Sequence, residues 1–284
     1  MNVIPLESSF GAIVTGLMVT DLDDDQFQDL YDTWLKYSLI ILPGQHLDNG
    51  KQMAFAKRFG TLEPKLELYE FSNVKKDGSL RTGDEDDMIK VLKGNMSWHQ
   101  DSTYMPVQAK GAVFRADIAP SSGGETGWAD MAAAYDALDD AMRRRVERYS
   151  AHHSLVHSQQ KVGFTHKERD SEYMGYGMDQ AVAPLRPLVK THPETGRRSL
   201  TIGRHAYGIP GLSDKNSKEL LEELVDLACR APRIHHHRWT PGDVVVWDNR
   251  CLLHQACPWD MSEPRVTYHT RLAGDPAHEF AASG

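Results

Sequence analysis

Short apolar segments closed by turn residues are what most constrain the fold of this chain. Val244-Val-Val-Trp247 is strongly β-prone, entered through Trp239-Thr-Pro-Gly-Asp243 and left through Asp248-Asn-Arg250. Ser38-Leu-Ile-Ile-Leu42 ends at Pro43-Gly44, and Gly111-Ala-Val-Phe-Arg-Ala116 ends at Pro120-Ser-Ser-Gly-Gly124. Ala12-Ile-Val-Thr15 lies between Gly11 and Gly16, Ser199-Leu-Thr-Ile202 follows the turn His192-Pro-Glu-Thr-Gly196, and Arg265–Arg271 alternates as a strand does. Helical spacing is confined to a few stretches. An acidic start at 21–25 precedes Phe27, Leu30, Tyr31 and Trp34; a second helix covers Gly50 to Phe59. Asp130 is a good N-cap for a long helix running to Tyr149, and an amphipathic helix spans Ser213 to Ala231. Residues 61–96 have no clean period and read as loops over a site. With no internal repeat, low-complexity segment or linker, the pattern predicts one domain over 1–284. It is mainly β with flanking helices, built on a double-stranded β-helix (jelly roll) core.

Within that frame, His99-Gln-Asp101 stands out. On a strand, residues two apart share a face, so an imidazole nitrogen and a carboxylate oxygen reach one point. Two histidines and one carboxylate on one face make the open site of non-haem Fe(II) oxygenases. Alone, a His-x-Asp triplet is weak. His254, far downstream and just after a buried strand, is the candidate third ligand. Arg265 follows, and its fork suits a dicarboxylate, to which the Thr126 hydroxyl could add a bond. A metal-binding protein of the same architecture without turnover is the competing reading; it has no need of Arg265.

The net charge of −8 argues against nucleic acid or an anionic membrane as partner. No apolar run approaches the roughly 20 residues of a membrane span, and the N-terminus shows no signal-peptide pattern. Three cysteines, Cys229, Cys251 and Cys257, without C-x-x-C spacing suit a reducing cytoplasm. Homo-oligomerisation is left open.

These motifs in this order resemble the taurine/aryloxyalkanoate (TauD/TfdA-like) dioxygenases, which depend on Fe(II) and 2-oxoglutarate. The resemblance is carried by Asn95-Met-Ser-Trp-His-Gln-Asp101, Gly123-Gly-Glu-Thr126, Trp247-Asp-Asn-Arg-Cys-Leu-Leu-His254 and Pro264-Arg265-Val. Tyr135-Asp-Ala-Leu138 and His192-Pro-Glu-Thr-Gly-Arg197 bring it nearest the branch that cleaves phenoxyalkanoates. The resemblance implies His99, Asp101 and His254 as iron ligands, and Thr126 with Arg265 as the grip on the far carboxylate of 2-oxoglutarate. Members hold an anionic substrate with a basic residue four positions past that arginine. Here His269 stands there, with Arg271 two further on, so either could serve; permanent charge favours Arg271. Asn95 falls where some members touch substrate. The implied reaction couples O2 and oxidative decarboxylation of 2-oxoglutarate to hydroxylation of a small carboxylate. If the carbon bears an ether oxygen, the product collapses to a phenol and a 2-oxo acid. Sulfonates such as taurine, alkyl sulfates or a natural-product acid are the alternative substrates.

Other features have plainer readings. His235-His-His237 reads as a solvated strand edge and Arg143-Arg-Arg145 as a solvated helix face. Cys251 and Cys257 read as packing residues, and Trp98 and Trp247 as packing around the metal strands without touching substrate.

Overall fold

The computed structural model describes all residues except 82, 84–85, 162, 164–175, 178–181 and 282–284. In chain order its first half contains β1 (Asn2–Pro5), β2 (Ala12–Thr15), α1 (Asp24–Tyr37), β3 (Leu39–Leu42), α2 (Asn49–Phe59), β4 (Tyr69–Ser72), α3 (Asp87–Gly94), β5 (Gly111–Ile118) and β6 (Thr126–Asp130). There follow α4 (Met131–Asp136), α5 (Asp140–Val146), β7 (Ser150–His153), α6 (Leu155–Gln160), β8 (Leu185–Pro187), β9 (Val189–Thr191), β10 (Arg198–Leu200) and β11 (Ala206–Tyr207). The chain closes with α7 (Asp214–Ala228), β12 (Ile234–His237), β13 (Val244–Asp248), β14 (Leu252–Ala256), β15 (Val266–Leu272) and α8 (Pro276–Glu279).

Alternation along the two apolar runs explains the layering. β3 and β13 sit side by side in a seven-stranded sheet ordered β1-β2-β3-β13-β5-β15-β4. Ile40, Leu42, Val244 and Val246 face outward and pack with Phe27, Leu30 and Trp34 of α1 and Phe55 and Phe59 of α2. Leu39, Ile41, Val245 and Trp247 face the other way and pack with Trp128 and Leu252 of a three-stranded sheet, β12-β6-β14. Strands buried on both faces have no polar side, which is why these runs are continuously apolar. The small sheet is itself covered: Ala129 and Leu253 point away from Trp128 and Leu252 into a second cluster with Met131, Leu220, Leu221 and Leu224 of α4 and α7. Hence the molecule is mainly β, two sheets face to face with helices outside.

The helix starts follow their caps. Asp23 and Gln26 make a capping box at α1, and Ser213 caps α7 through the Asn216 N–H. The long helix expected from Asp130 is interrupted. Asp130 caps α4, but a second cap at Asp139, accepting the Met142 N–H at 2.7 Å, starts α5. Leu138, Met142 and Val146 keep their apolar spacing because both pieces pack on one cluster. α7 ends at Ala228, short of the expected 231. Within 61–96 the described residues are more ordered than loops alone. β4 pairs antiparallel with β15, and Asp86 caps α3 through the Met88 and Ile89 N–H groups. A four-residue strand and an eight-residue helix are too short to impose a visible period.

Candidate active site

Strand alternation assembles the site on the inner faces of the two sheets. In β14, Leu252 and His254 share the inner face while Leu253 points outward. His254 is directly opposite Trp128 of β6, so Thr126, two residues along, shares that face. His99 comes from outside both sheets. It forms a lone antiparallel bridge with His254, each donating its backbone N–H to the other's carbonyl, at 2.9 and 2.8 Å. The two rings therefore lie side by side, centroids 4.1 Å apart. The regular strand expected at 99–101 is absent: past this one bridge the chain turns, with Ser102 at φ 57°. Asp101 nevertheless reaches the same point, and one ligand atom from each of His99, Asp101 and His254 lies within 4.8 Å of the others.

The charge states suit a cation. Burial holds the His99 and His254 imidazoles below their ordinary range, hence neutral with a lone pair. The His99 Nδ1 lies 2.7 Å from the Ser97 carbonyl, which puts its proton there and leaves Nε2 as the donor atom. Burial raises the Asp101 carboxyl, but the Arg271 guanidinium beside it outweighs burial and holds the group ionised, below the usual carboxylate range. Its Oδ1 accepts from Arg271 Nη2 at 2.9 Å. Its Oδ2 is buried and, among the described residues, accepts no hydrogen bond, although His269 Nε2 is 3.4 Å and His254 Nε2 3.8 Å away. A bare, ionised oxygen between neutral imidazoles is what a divalent metal would satisfy.

Arg265 lies in the same cavity, just before β15. Burial lowers its guanidinium to about 10, so it stays cationic at neutral pH. Its Nε donates to the Gly124 carbonyl at 3.1 Å and its backbone N–H to Asn73 Oδ1 at 2.8 Å. Among the described residues it has no ion pair, so an anion is the missing partner. Gly124 has φ 69°, and a Cβ there would lie 2.8 Å from Pro120 and 3.3 Å from the Arg265 side chain. A glycine is needed for this close approach. The Thr126 hydroxyl accepts from Trp239 Nε1 at 2.9 Å and keeps its own proton to donate into the cavity.

Arg271 is tied to several neighbours. Besides Asp101, its Nη1 donates to Ser102 Oγ at 3.1 Å and its Nε lies 3.6 Å from Glu63 Oε2. Glu63, which sequence reasoning passed over, also receives bonds from the Ser102 and Tyr176 hydroxyls. Burial raises its carboxyl to about 7, against the pull of Arg271 and Ser102. His269 is lowered by burial to about 3 and is neutral. Trp247, expected to pack around the metal strands, lines the cavity and stacks flat on His269, 5.4 Å between centroids. Trp98 packs elsewhere, against His236. Asn95, the C-cap of α3, lines the cavity, while Phe71, Phe114, Tyr104, Leu92 and Leu155 make its walls aromatic and apolar.

A second grouping, His192, Asp248 and Cys251, is saturated by the protein itself. His192 Nδ1 accepts the Glu194 and Thr195 N–H groups, its Nε2 meets Asp248 at 2.9 Å, and Arg250 holds both Asp248 oxygens at 2.8 and 2.6 Å. Burial raises the Cys251 thiol, as a packing residue requires. His235-His-His237 forms β12, at an edge of the small sheet, with His237 on Asp243.

Two facing sheets with a two-histidine, one-carboxylate cluster and a buried arginine between them define a β-rich protein with a candidate mononuclear metal site. The chain belongs to the taurine catabolism dioxygenase TauD, TfdA family, whose model matches residues 2–272. It is similar to an (S)-phenoxypropionate/alpha-ketoglutarate-dioxygenase of Sphingobium herbicidovorans, 59% identical over 99% of this chain and 97% of that one. One of the same name from Delftia acidovorans is 55% identical over 99% and 98%. Among solved structures, AAD-2 in complex with Mn(II) and N-oxalylglycine superposes with a TM-score of 0.89 at 32% identity over the full length of both chains.

Proposed function

We propose that this chain is a 2-oxoglutarate-dependent dioxygenase that hydroxylates aryloxyalkanoates, the (S)-2-aryloxypropionates foremost, and so releases a phenol and a 2-oxo acid. The observation that carries the reading is one cavity holding the bare Asp101 oxygen between two neutral imidazoles, the Arg265 guanidinium without an ion pair among the described residues, and aromatic walls. Both (S)-phenoxypropionate relatives support the substrate class and the enantiomer.

His99, Asp101 and His254 would hold Fe(II). When bound, the iron supplies O2 activation coupled to oxidative decarboxylation of 2-oxoglutarate to succinate and CO2. Arg265 and the Thr126 hydroxyl bind the far carboxylate of 2-oxoglutarate, the fork giving two parallel bonds. Arg271 takes the substrate carboxylate, with neutral His269 as a hydrogen-bonding second and Asn95 at the edge of the cavity. Holding the carboxylate there orients one face of the α-carbon and sets the enantiomer. Phe71, Phe114 and Tyr104 receive the aryl ring and exclude water. Hydroxylation at the ether carbon gives a hemiketal or hemiacetal; its hydroxyl proton leaves, the C–O bond to the aryl group breaks, and the phenoxide takes a proton. Sulfonates and alkyl sulfates fit less well, since the walls offer aromatic area beyond one cation. The facing sheets support a single domain over 1–284 with a jelly-roll core, and the free cysteines suit a reducing cytoplasm. A small-molecule anion and O2 are its partners.

The test is turnover under air with Fe(II), 2-oxoglutarate and the separate enantiomers of a 2-aryloxypropionate, scoring succinate and phenol together. Equimolar release, faster with the (S) form, is expected. Succinate formed only with taurine or an alkyl sulfate would overturn the substrate reading.

A further inference from the structure

A turn residue lies at the hub of the candidate metal site. Asn249 is in the β13–β14 turn, five positions before His254, and is 0% exposed. Its side-chain carbonyl accepts the Asp101 N–H at 2.8 Å, and its amide donates to the Asp101 carbonyl at 3.0 Å and the Ala109 carbonyl at 2.9 Å. Its main chain is equally engaged. The N–H donates to the Lys110 carbonyl at 3.0 Å, and the carbonyl accepts Gln100 Nε2 at 3.1 Å and Gln108 Nε2 at 3.2 Å.

The pattern matters because of what Asp101 lacks. His99 is held by a reciprocal pair of backbone bonds to His254. In an antiparallel ladder the next rung would pair residue 101 with 252. Past the His99–His254 bridge the chain turns, with Ser102 at φ 57°, so residue 101 does not go on to pair with Leu252. Among the described residues no strand pairing holds Asp101. A carboxamide has the donor and acceptor of a peptide group, and Asn249 supplies both to the Asp101 backbone, as a ladder partner would.

We infer that Asn249 is a positioning residue of the metal site, its side-chain amide replacing the missing strand so that Asp101 stands ready beside His99 and His254 before metal arrives. The inference rests on the proposed ligand set. The residue type is specific to the task. Aspartate could accept the Asp101 N–H but would set a carboxylate oxygen against two carbonyls. Alanine would orphan one buried N–H and two buried carbonyls. Outer residues that orient ligands change metal affinity by about 10–100-fold when lost.

The experiment is Mn(II) binding by calorimetry to the full-length wild type, His254→Ala, Asn249→Ala and Asn249→Asp, with the visible spectrum of the Co(II)-loaded proteins beside it. The wild type is expected to bind one Mn(II) and His254→Ala none. Asn249→Ala should bind about 10–100-fold more weakly, with a shifted Co(II) spectrum, and Asn249→Asp more weakly still. Failure of the wild type to bind would remove the ligand set itself. Wild-type binding matched by a folded Asn249→Ala of equal affinity and unchanged spectrum would overturn the positioning role. So would a fall in thermal stability that is the same with and without Mn(II). If neither Asn249 variant folds, amide exchange in the metal-free wild type decides. The Asp101 N–H should already be protected to the level of the β14 amides; exchange at the rate of an exposed loop would overturn the inference.

Discussion

Arg271 Nη2 donates to Asp101 Oδ1 at 2.9 Å, so the arginine proposed to receive the substrate anion also grips a proposed metal ligand. Arg271→Ala should therefore have two effects, a higher KM for the aryloxy acid and metal binding weaker by about tenfold. The KM for 2-oxoglutarate should move less, since Arg265 is the residue proposed to hold that end. Arg271→Lys keeps charge but loses the fork, so a partial version of both defects is expected. Steady-state kinetics with each substrate varied, and Mn(II) titration, check this.

Arg265→Met removes the buried guanidinium proposed to hold 2-oxoglutarate. A hydrogen bond to a charged group is worth about 1.5–3 kcal/mol, so the KM for 2-oxoglutarate should rise about 10–100-fold. Gly124→Ala should act in the same direction, because its Cβ would press on the Arg265 side chain and adopt an unfavourable φ. An unchanged 2-oxoglutarate KM in both variants would exclude Arg265 from that role.

Thr126→Val keeps the shape and removes the hydroxyl. It leaves the Trp239 indole N–H without its partner, so stability should drop by about 1–3 kcal/mol in addition to a modest rise in the 2-oxoglutarate KM. Denaturant unfolding separates the two effects.

Glu63 gives a pH signature. Burial raises its carboxyl from 4.5 to about 7, so the folded protein binds this proton more tightly than the unfolded chain. Its contribution to stability is fully present below about pH 4.5 and is lost as pH rises through about 7. Metal-free Glu63→Gln should lack that decline. Its stability relative to wild type should increase from pH 5 to pH 8, read from unfolding midpoints; a constant difference across that range would refute the assignment.

Much of the site was legible because alternation and chemistry are local. The His99-Gln-Asp101 spacing, His254 after an apolar run and Arg265 at the head of an alternating segment all reappear around one cavity. The strand imagined for His99 and Asp101 does not exist; a single bridge and a turn bring both residues to the same place. Trp247 reads as packing from its apolar run, and alternation turns that packing inward onto His269. Glu63 and Ser102 carry no motif, and only their burial beside Arg271 makes them visible.

The order of short apolar runs, turns and caps determined by itself that this chain would be mainly β with outer helices, and the residue types at 99, 101, 126, 254 and 265 marked the candidates for holding a cation and a dicarboxylate. Those signals are written in neighbouring residues. Only the tertiary structure decided which side of each run faced the second sheet, that Asp101 depends on an asparagine side chain and not on a strand, and that Arg271 is shared between Asp101 and Glu63. Each of these joins groups far apart in the chain, and their strength comes from burial, which exists only once the sheets have closed on one another.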